Sequence, residues 1–453
     1  MHPIKVDFQN VIGKIKPMHA VGQPPFTSSF NSLDFTPMQI LRDAHVPYSR
    51  LHDVGGAFGS NRYVDIPNIF RDFDADVDDP ASYDFAFTDE LIKGLVSYGV
   101  SPYFRLGVTI ENQCQIRAYR IHPPKDYAKW ARICEHIIRH YNEGWADGFH
   151  FGIRYWEIWN EPENRMDPKL NQMWSGTAEQ YYELYDVTAK HLKACFGDSI
   201  MIGGYAACGF YGIFANPEKY GLSVPRREGK RYTDPKEEYR LNFFFGFLDY
   251  IRAHGSPIDF FSWHTYGFAD VITVESEFVH KVLNDYGYGQ IETHLNEWNL
   301  SHDRKINNAN SHASASVAVT MIEMQHRPTD MLMYYDAKYV SVSAYGGFYD
   351  VNTYEPSCIY HSFRAFGELY ALGDEVECVC DREGIRALAA TDGEKKAILV
   401  VNANADAEEL SLPISGEWQA TLIDHEHLGT SVELDPAAFR LEGNQVVLWR
   451  AEK

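Results

Sequence analysis

One stretch constrains the fold of this chain more than any other: residues 153–162, IRYWEIWNEP. Ile153, Tyr155, Glu157, Trp159 and Glu161 share one face by the two-residue period of a strand. The residues between them are also large and mostly apolar, so both faces need cover. Parallel strands in α/β proteins have that character; antiparallel sheets with one wet face do not. The stretch closes on Asn160-Glu161-Pro162. An acid at the C-terminal end of a parallel strand is where barrel enzymes carry catalytic groups. A second stretch of the same build, IETHLNEWN over residues 291–299, ends on Glu297.

The rest of the chain alternates in a matching way. Apolar strand patterns at residues 17–22, 47–53, 101–107, 201–205, 258–266 and 331–336 are separated by segments of helical period. The clearest helix carries Tyr127, Trp130, Ala131, Cys134, Ile137, Ile138 and Tyr141 at spacings of three and four. Thr177-x-x-Gln180 opens another as a capping box. This alternation predicts an α/β fold, a (β/α)8 TIM barrel over residues 16–372. A doubly wound sheet competes, but the chain holds no Gly-x-Gly-x-x-Gly and no phosphate loop; Gly55-Gly56 and Gly203-Gly204 read as turn or close-packing glycines. Long loops after the second, third and fifth strands fall at the active-site face. From residue 373 to 453 the pattern changes to short alternating strands with polar turns, which predicts a C-terminal β-sandwich. Residues 1–15 add a strand to it. Length agrees: a barrel takes about 250 residues or more, and the chain has 453.

Composition excludes more than it identifies. A formal net charge of −22 opposes binding to nucleic acid and to anionic membrane surfaces. The 7 cysteines are odd in number and irregularly spaced, which favours a reducing compartment over a disulfide framework. With no leader-like start and no long apolar run, the expectation is a cytoplasmic protein, with a homo-oligomer open.

The two strand-end glutamates suggest glycoside cleavage. That chemistry needs one carboxylic acid to protonate the leaving oxygen and one carboxylate opposite it, and the two stand about 5–5.5 Å apart when the second attacks carbon. Fourth and seventh strands face each other across a barrel mouth, so Glu161 and Glu297 form the expected pair. Asn160 offers an amide to the sugar 2-hydroxyl, and Trp159 and Trp298 are expected to wall the site and keep it dry. His264 and Tyr266 end the sixth strand, where the phenol reaches Glu297; a satisfied core histidine is the other reading of His264. Glu157 lies deeper and needs a cationic partner, Arg50 or Arg105. His52 near the mouth is a candidate for a sugar hydroxyl. Asp424-His425-Glu426-His427 looks like a metal cluster but sits in a polar turn and reads as surface. No cofactor and no metal are expected.

These residues carry a family resemblance. PPKDYAKWARICEHIIRHYNEGW, YWEIWNEPEN, MWSGTAEQYYELYDVTAKHLK, PIDFFSWHTYG and HLNEWNLS together resemble glycoside hydrolase family 39, which includes β-xylosidases and α-L-iduronidases. The resemblance covers about residues 35–300. It implies Glu161 as acid/base, Glu297 as nucleophile and Asn160 as the 2-hydroxyl contact. It also implies sugar binding by His52, support of the nucleophile by Arg50 and Tyr266, a barrel with an attached β-sandwich, and no metal. Three features depart from the family pattern: Glu163 stands where an Asn is usual, the eighth strand reads YYDAKY, and the loop after the second strand carries Asp53. Asp336 and Lys338 are thereby unusual groups near the mouth. Lys338 reads as solvated, with a uronic acid carboxylate as its other reading.

The expected activity is that of a retaining glycosidase, exo-acting on small oligosaccharides or glycosides in the manner of a β-xylosidase. An endo-acting glycanase, a carbohydrate-binding barrel without turnover and a metal-dependent barrel hydrolase are the rivals.

Overall fold

A computed structural model of the chain describes residues 1–29, 32–54, 64–110, 120–307, 309–339 and 345–452. Its centre is a closed barrel of eight parallel strands: β1 Ala20–Gly22, β2 Tyr48–Leu51, β3 Ser101–Leu106, β4 Tyr155–Ile158, β5 Met201–Ala207, β6 Phe260–Tyr266, β7 Glu292–Asn299 and β8 Met331–Tyr334. Every neighbouring pair is parallel, and Met333 pairs with Ala20 to close the ring. The helices that follow the strands are α1 Gln39–Asp43, α2 Ala86–Ser97, α3 Tyr127–Asn142, α4 Ala178–Phe196, α5 Pro235–His254, α6 Ala269–Tyr286, α7 Ser311–Gln325 and α8 Cys358–Leu372. This is the (β/α)8 fold.

The sequence accounts for the individual elements. On α3, Trp130, Ala131, Cys134, Ile137, Ile138 and Tyr141 are buried, and Asp126 caps the start by accepting from the Lys129 amide. The Thr177/Gln180 capping box opens α4, with both reciprocal bonds made. Asp234 and Pro235 start α5, and Gly255 ends it in the left-handed conformation. Inside the barrel, Tyr103, Tyr155, Phe260, Met331, Met333 and Ala20 fill the lower layers. Gly203 belongs to β5, where a Cβ would stand 2.0 Å from the Phe260 carbonyl oxygen, so only glycine permits this approach to β6.

The fourth strand is shorter than its pattern. It ends at Ile158, and the chain turns at Trp159 (φ 75°) and Glu161 (φ 45°). The expected face shared by Glu157, Trp159 and Glu161 is therefore broken. Trp159 points outward, its ring 6.2 Å from Trp130 and 5.1 Å from Trp174, with its indole N–H donating to the Met173 carbonyl at 2.9 Å.

Beyond α8, seven- and three-stranded sheets enclose a second core that includes Ile385, Ile398, Val400, Val447 and Trp449. These sheets form a β-sandwich. The N-terminal strand Lys5–Lys14 pairs antiparallel with Asp374–Val379, and His2–Pro3 pairs with Glu408–Ser411. Strands Glu408–Ser411, Leu428–Val432 and Phe439–Leu441 had no clear alternation in the sequence. In the 424–427 turn, Asp424 accepts from the amides of Glu426 and His427 and from His427 Nδ1, while His425 and Glu426 are exposed. Hydrogen bonds to Asp424 hold the turn together. The six cysteines described are unpaired; Cys114, Gly55 and Gly56 lie outside the described residues. No helix among the described residues is long and apolar enough to cross a membrane.

Candidate active site

The C-terminal ends of β1, β2, β4, β6, β7 and β8 converge on one constellation. Its organiser is Arg50 on β2, 1% exposed. Its guanidinium donates to Glu157 Oε2 at 2.8 Å, to Glu297 Oε2 at 3.2 Å and to Asn160 Oδ1 at 2.6 Å. Arg50, not Arg105, is thus the partner of Glu157; Arg105 pairs with Asp65 at 2.7 Å. Glu157 also accepts from Ser262 Oγ at 2.6 Å and from Asn296 Nδ2. A fully buried carboxylate with that many donors is a structural anchor. It fixes the guanidinium that in turn fixes Glu297.

Glu297 and Glu161 face each other at the mouth. One oxygen of each, together with His264 Nδ1, lies within 4.8 Å of the others. His264 Nδ1 stands 2.7 Å from Glu161 Oε1 and 3.6 Å from Glu297 Oε2. The Tyr266 hydroxyl donates to Glu297 Oε1, and Asn164 Nδ2 donates to Glu161 Oε2 at 2.7 Å. Phe260, Ser262, His264 and Tyr266 all point inward along β6. Burial works to raise both carboxyls. At Glu161 the His264 contact overrides it and pulls the carboxyl down to about 2. Glu297 is held up by burial and by the charge of Glu161, against the pull of His264 and Arg50. Tyr266 keeps its proton, because burial and the Glu297 charge push the phenol well above its usual range.

Asn160 and His52 are among the buried side chains with polar atoms left without a partner among the described residues. Asn160 uses its carbonyl on Arg50 and leaves Nδ2 free. His52 has no hydrogen bond on either ring nitrogen, although Nε2 stands 3.3 Å from Asp53 Oδ1. Burial, then the charges of Arg105 and Arg50, keep His52 neutral. Such orphaned polar atoms at a cleft are what a hydroxyl-rich ligand satisfies.

Asp336 follows β8 and is buried, with one oxygen accepting from the Lys338 amide at 3.2 Å. Burial raises its carboxyl to about 7, and Glu297 and Asp53 add to the rise. Asp53 takes the Ile110 amide at 2.9 Å and the Tyr335 hydroxyl at 3.1 Å, and burial raises it to about 6. Gln23 Nε2 donates to that same hydroxyl. The Lys338 side chain is exposed.

Trp298 does not wall the site. Its ring lies 5.3 Å from Tyr334, which packs on Phe348 and Phe363, so it belongs to the layer between barrel and helices. The walls are instead Tyr266, Tyr335, Tyr345 and His302, with Tyr345 5.1 Å from both other tyrosines and His302 4.0 Å from Tyr266. Gln23, Tyr335, Tyr345, His302 and Asn164 were missed in the sequence. For Gln23 and Tyr335 a signal existed, since each directly follows a barrel strand.

Glu161, His264 and Glu297 could in principle enclose an ion. The Glu297 carboxylate, however, already answers Arg50 and Tyr266. A fixed guanidinium 3.2 Å away opposes a second cation there.

The chain is similar to known proteins in sequence and in fold. The sequence model of glycosyl hydrolases family 39 matches residues 62–293, a stretch that holds Glu161 and stops ahead of Glu297. A β-xylosidase of Geobacillus stearothermophilus is 24% identical over 243 residues, covering 52% of this chain and 39% of that protein. One from Caldicellulosiruptor saccharolyticus is 23% identical over 353 residues, 71% of this chain and 64% of that protein. The chain thus spans less than two thirds of either relative. Among solved structures, a glucosidase from Croceicoccus marinus shares the fold at TM-score 0.77 and 20% identity, covering 100% of this chain and 99% of that one. A monomeric β-xylosidase from Caulobacter crescentus does so at 0.68 and 16%, with the same coverage. Because the family's model matches just over half of its length, this chain belongs to glycosyl hydrolase family 39.

Proposed function

We propose that the chain is a retaining glycosidase, exo-acting and β-xylosidase-like, with Glu297 as nucleophile and Glu161 as acid/base. One observation carries the reading: carboxylate oxygens of Glu161 and Glu297 within 4.8 Å of each other at the mouth of the barrel. Carboxyl groups this close leave no room for the water that an inverting enzyme activates between them, whereas retaining enzymes place theirs about 5–5.5 Å apart.

The residues then divide the work. Glu297 attacks the anomeric carbon while Glu161 gives its proton to the leaving oxygen; Glu161 next takes a proton from water, which releases the sugar from Glu297. Attack needs the charge on Glu297 and the proton on Glu161. His264 Nδ1, 2.7 Å from Glu161 Oε1, orients the acid/base carboxyl through this contact. A protonated Glu161 ceases to repel Glu297, which keeps its bonds to Arg50 and Tyr266. The free Nδ2 of Asn160 addresses the sugar 2-hydroxyl, a contact that strengthens in the transition state. His52, Asp53 and Asp336 offer acceptors to the remaining hydroxyls.

Hydrolysis of a panel of aryl glycosides, with Glu297→Ala as control, tests this. The panel spans β-xylosides, α- and β-arabinosides, β-glucosides, β-galactosides and uronides. Phenol release from at least one, lost in the variant, is expected. Sugar binding without release in either protein overturns the reading.

A further inference from the structure

A second group of potential metal ligands lies on the flank of the barrel, between α3 and α4. Glu135 on α3 and His191 and Cys195 on α4 each offer one ligand atom, and these atoms lie within 4.8 Å of one another. His191 and Cys195 are four residues apart, so one face of α4 carries both. All three side chains are partly exposed, which leaves the group open to an ion from solvent. Both helices lead back from the C-terminal ends of their strands. Cys195, one residue before the end of α4, therefore stands toward the face of the barrel opposite the two glutamates.

The donor set is one sulfur, one imidazole nitrogen and one carboxylate oxygen, the combination that zinc accepts. Zinc holds such atoms at about 2.0–2.3 Å in a tetrahedron, which sets them roughly 3.4–3.6 Å apart. Cys195 Sγ and His191 Nε2 stand 3.8 Å apart. His191 Nε2 and Glu135 Oε2 are hydrogen-bonded at 2.7 Å. That pair has to open by roughly 0.7 Å to admit zinc, which a rotation of the Glu135 side chain provides. A thiolate and a carboxylate together match the charge of the ion. Burial and the Glu135 charge hold the Cys195 thiol above its ordinary range, so the metal has to displace a proton, which leaves to solvent.

The neighbouring cations leave this position open. Arg139 Nε donates to Glu135 Oε1 at 2.7 Å, not to Oε2, and its Nη1 turns to Glu143. A carboxylate held through one oxygen keeps the other for a metal, and a hydrogen bond of this kind orients the ligand. Glu297 differs, because both of its oxygens are taken. Lys190 pairs with Asp186, Lys193 with Asp259 and Arg132 with Asp78. We propose that Glu135, His191 and Cys195 form a zinc site, with water as the fourth ligand, that clamps α3 to α4. Its role is structural. It lies apart from the glycosidase chemistry and does not depend on that reading.

Cobalt is the probe, because a thiolate bound to it gives a near-ultraviolet charge-transfer band and a tetrahedral site gives intense visible bands. The full chain is treated with EDTA and a phosphine reductant, desalted and titrated with Co2+. The expected result is a charge-transfer band that saturates at one cobalt per chain and is abolished by zinc. The band is lost in Cys195→Ser, and the tetrahedral spectrum is lost in His191→Gln. Zinc at a hundredfold excess over its Kd should raise the thermal midpoint of the native chain by roughly 3 °C and leave that of Cys195→Ser in place. Circular dichroism checks that each variant folds, and two variants at different positions guard against the failure of one. Absence of the band in the native chain, or a band that persists in both variants and so belongs to another cysteine, overturns the inference. An equal zinc-induced shift of the midpoint in the native chain and in both variants does the same.

Discussion

Removal of one hydroxyl from the site has a calculable consequence. Tyr266→Phe deletes the donor to Glu297 Oε1 and keeps the ring that packs on His302 and Tyr345. Hydrogen bonds to a charged acceptor contribute about 1.5–3 kcal/mol. The bond favours the ionised form of Glu297, so its loss raises the carboxyl further, and at ~1.36 kcal/mol per unit the rise is about one to two pH units. On the proposed mechanism, cleavage needs Glu297 ionised. The acidic limb of kcat/KM against pH must therefore move upward by about that amount. At the plateau, loss of the same bond lowers kcat/KM roughly tenfold to a hundredfold. Steady-state hydrolysis of the best aryl glycoside between pH 4 and 9 reads both quantities. The basic limb is not set by the phenol itself, which burial and Glu297 keep protonated. An acidic limb that stays in place, with a rate within about threefold of the native one, refutes the assignment of Tyr266 as the group that holds the nucleophile ionised.

Two other substitutions make separate claims. Asn160→Ala should lower kcat/KM for the 2-hydroxy glycoside by about 1–3 kcal/mol in activation free energy more than for the 2-deoxy glycoside, because both lose the Asn160 Oδ1 partner of Arg50 but only the first loses the contact of the free Nδ2; equal losses on both substrates contradict the contact. Glu275, buried on α6, accepts from Thr265 and is raised by burial to about 8 from an ordinary 4.5. A raised carboxyl contributes stability that is complete below the unfolded pKa and is lost as pH climbs through the folded one. Glu275→Gln keeps the neutral shape, so its unfolding free energy from denaturant titration should match the native protein's near pH 5 and exceed it near pH 9 by a few kcal/mol in order of magnitude. A difference that does not grow with pH contradicts this.

Much of the barrel was legible because a parallel strand buried on both faces leaves a strong apolar signature, and because α3 and α4 carry clear period and caps. The site was legible where residues alternate regularly: along β6, Ser262, His264 and Tyr266 all point inward as their spacing implies. Legibility ended where the backbone leaves the strand. Trp159 and Glu161 adopt left-handed conformations, as do Gln23 and Asp53 beyond β1 and β2. Such residues re-aim side chains in a way no two-residue period contains. The tryptophan walls failed for this reason at Trp159. On β7 the register against β6 slips between Trp263 and His264, which lets Asn296 and Glu297 both face the interior and sends Trp298 outward.

The most direct test of the account is to trap the intermediate. Incubation with a 2-deoxy-2-fluoro glycoside of the active glycone, bearing a good leaving group, slows the second step more than the first. Mass spectrometry of the digested protein should then show one sugar added to the peptide that contains Glu297. An adduct on any other residue, or no adduct together with a product of inverted anomeric configuration, contradicts a glycosyl-enzyme at Glu297.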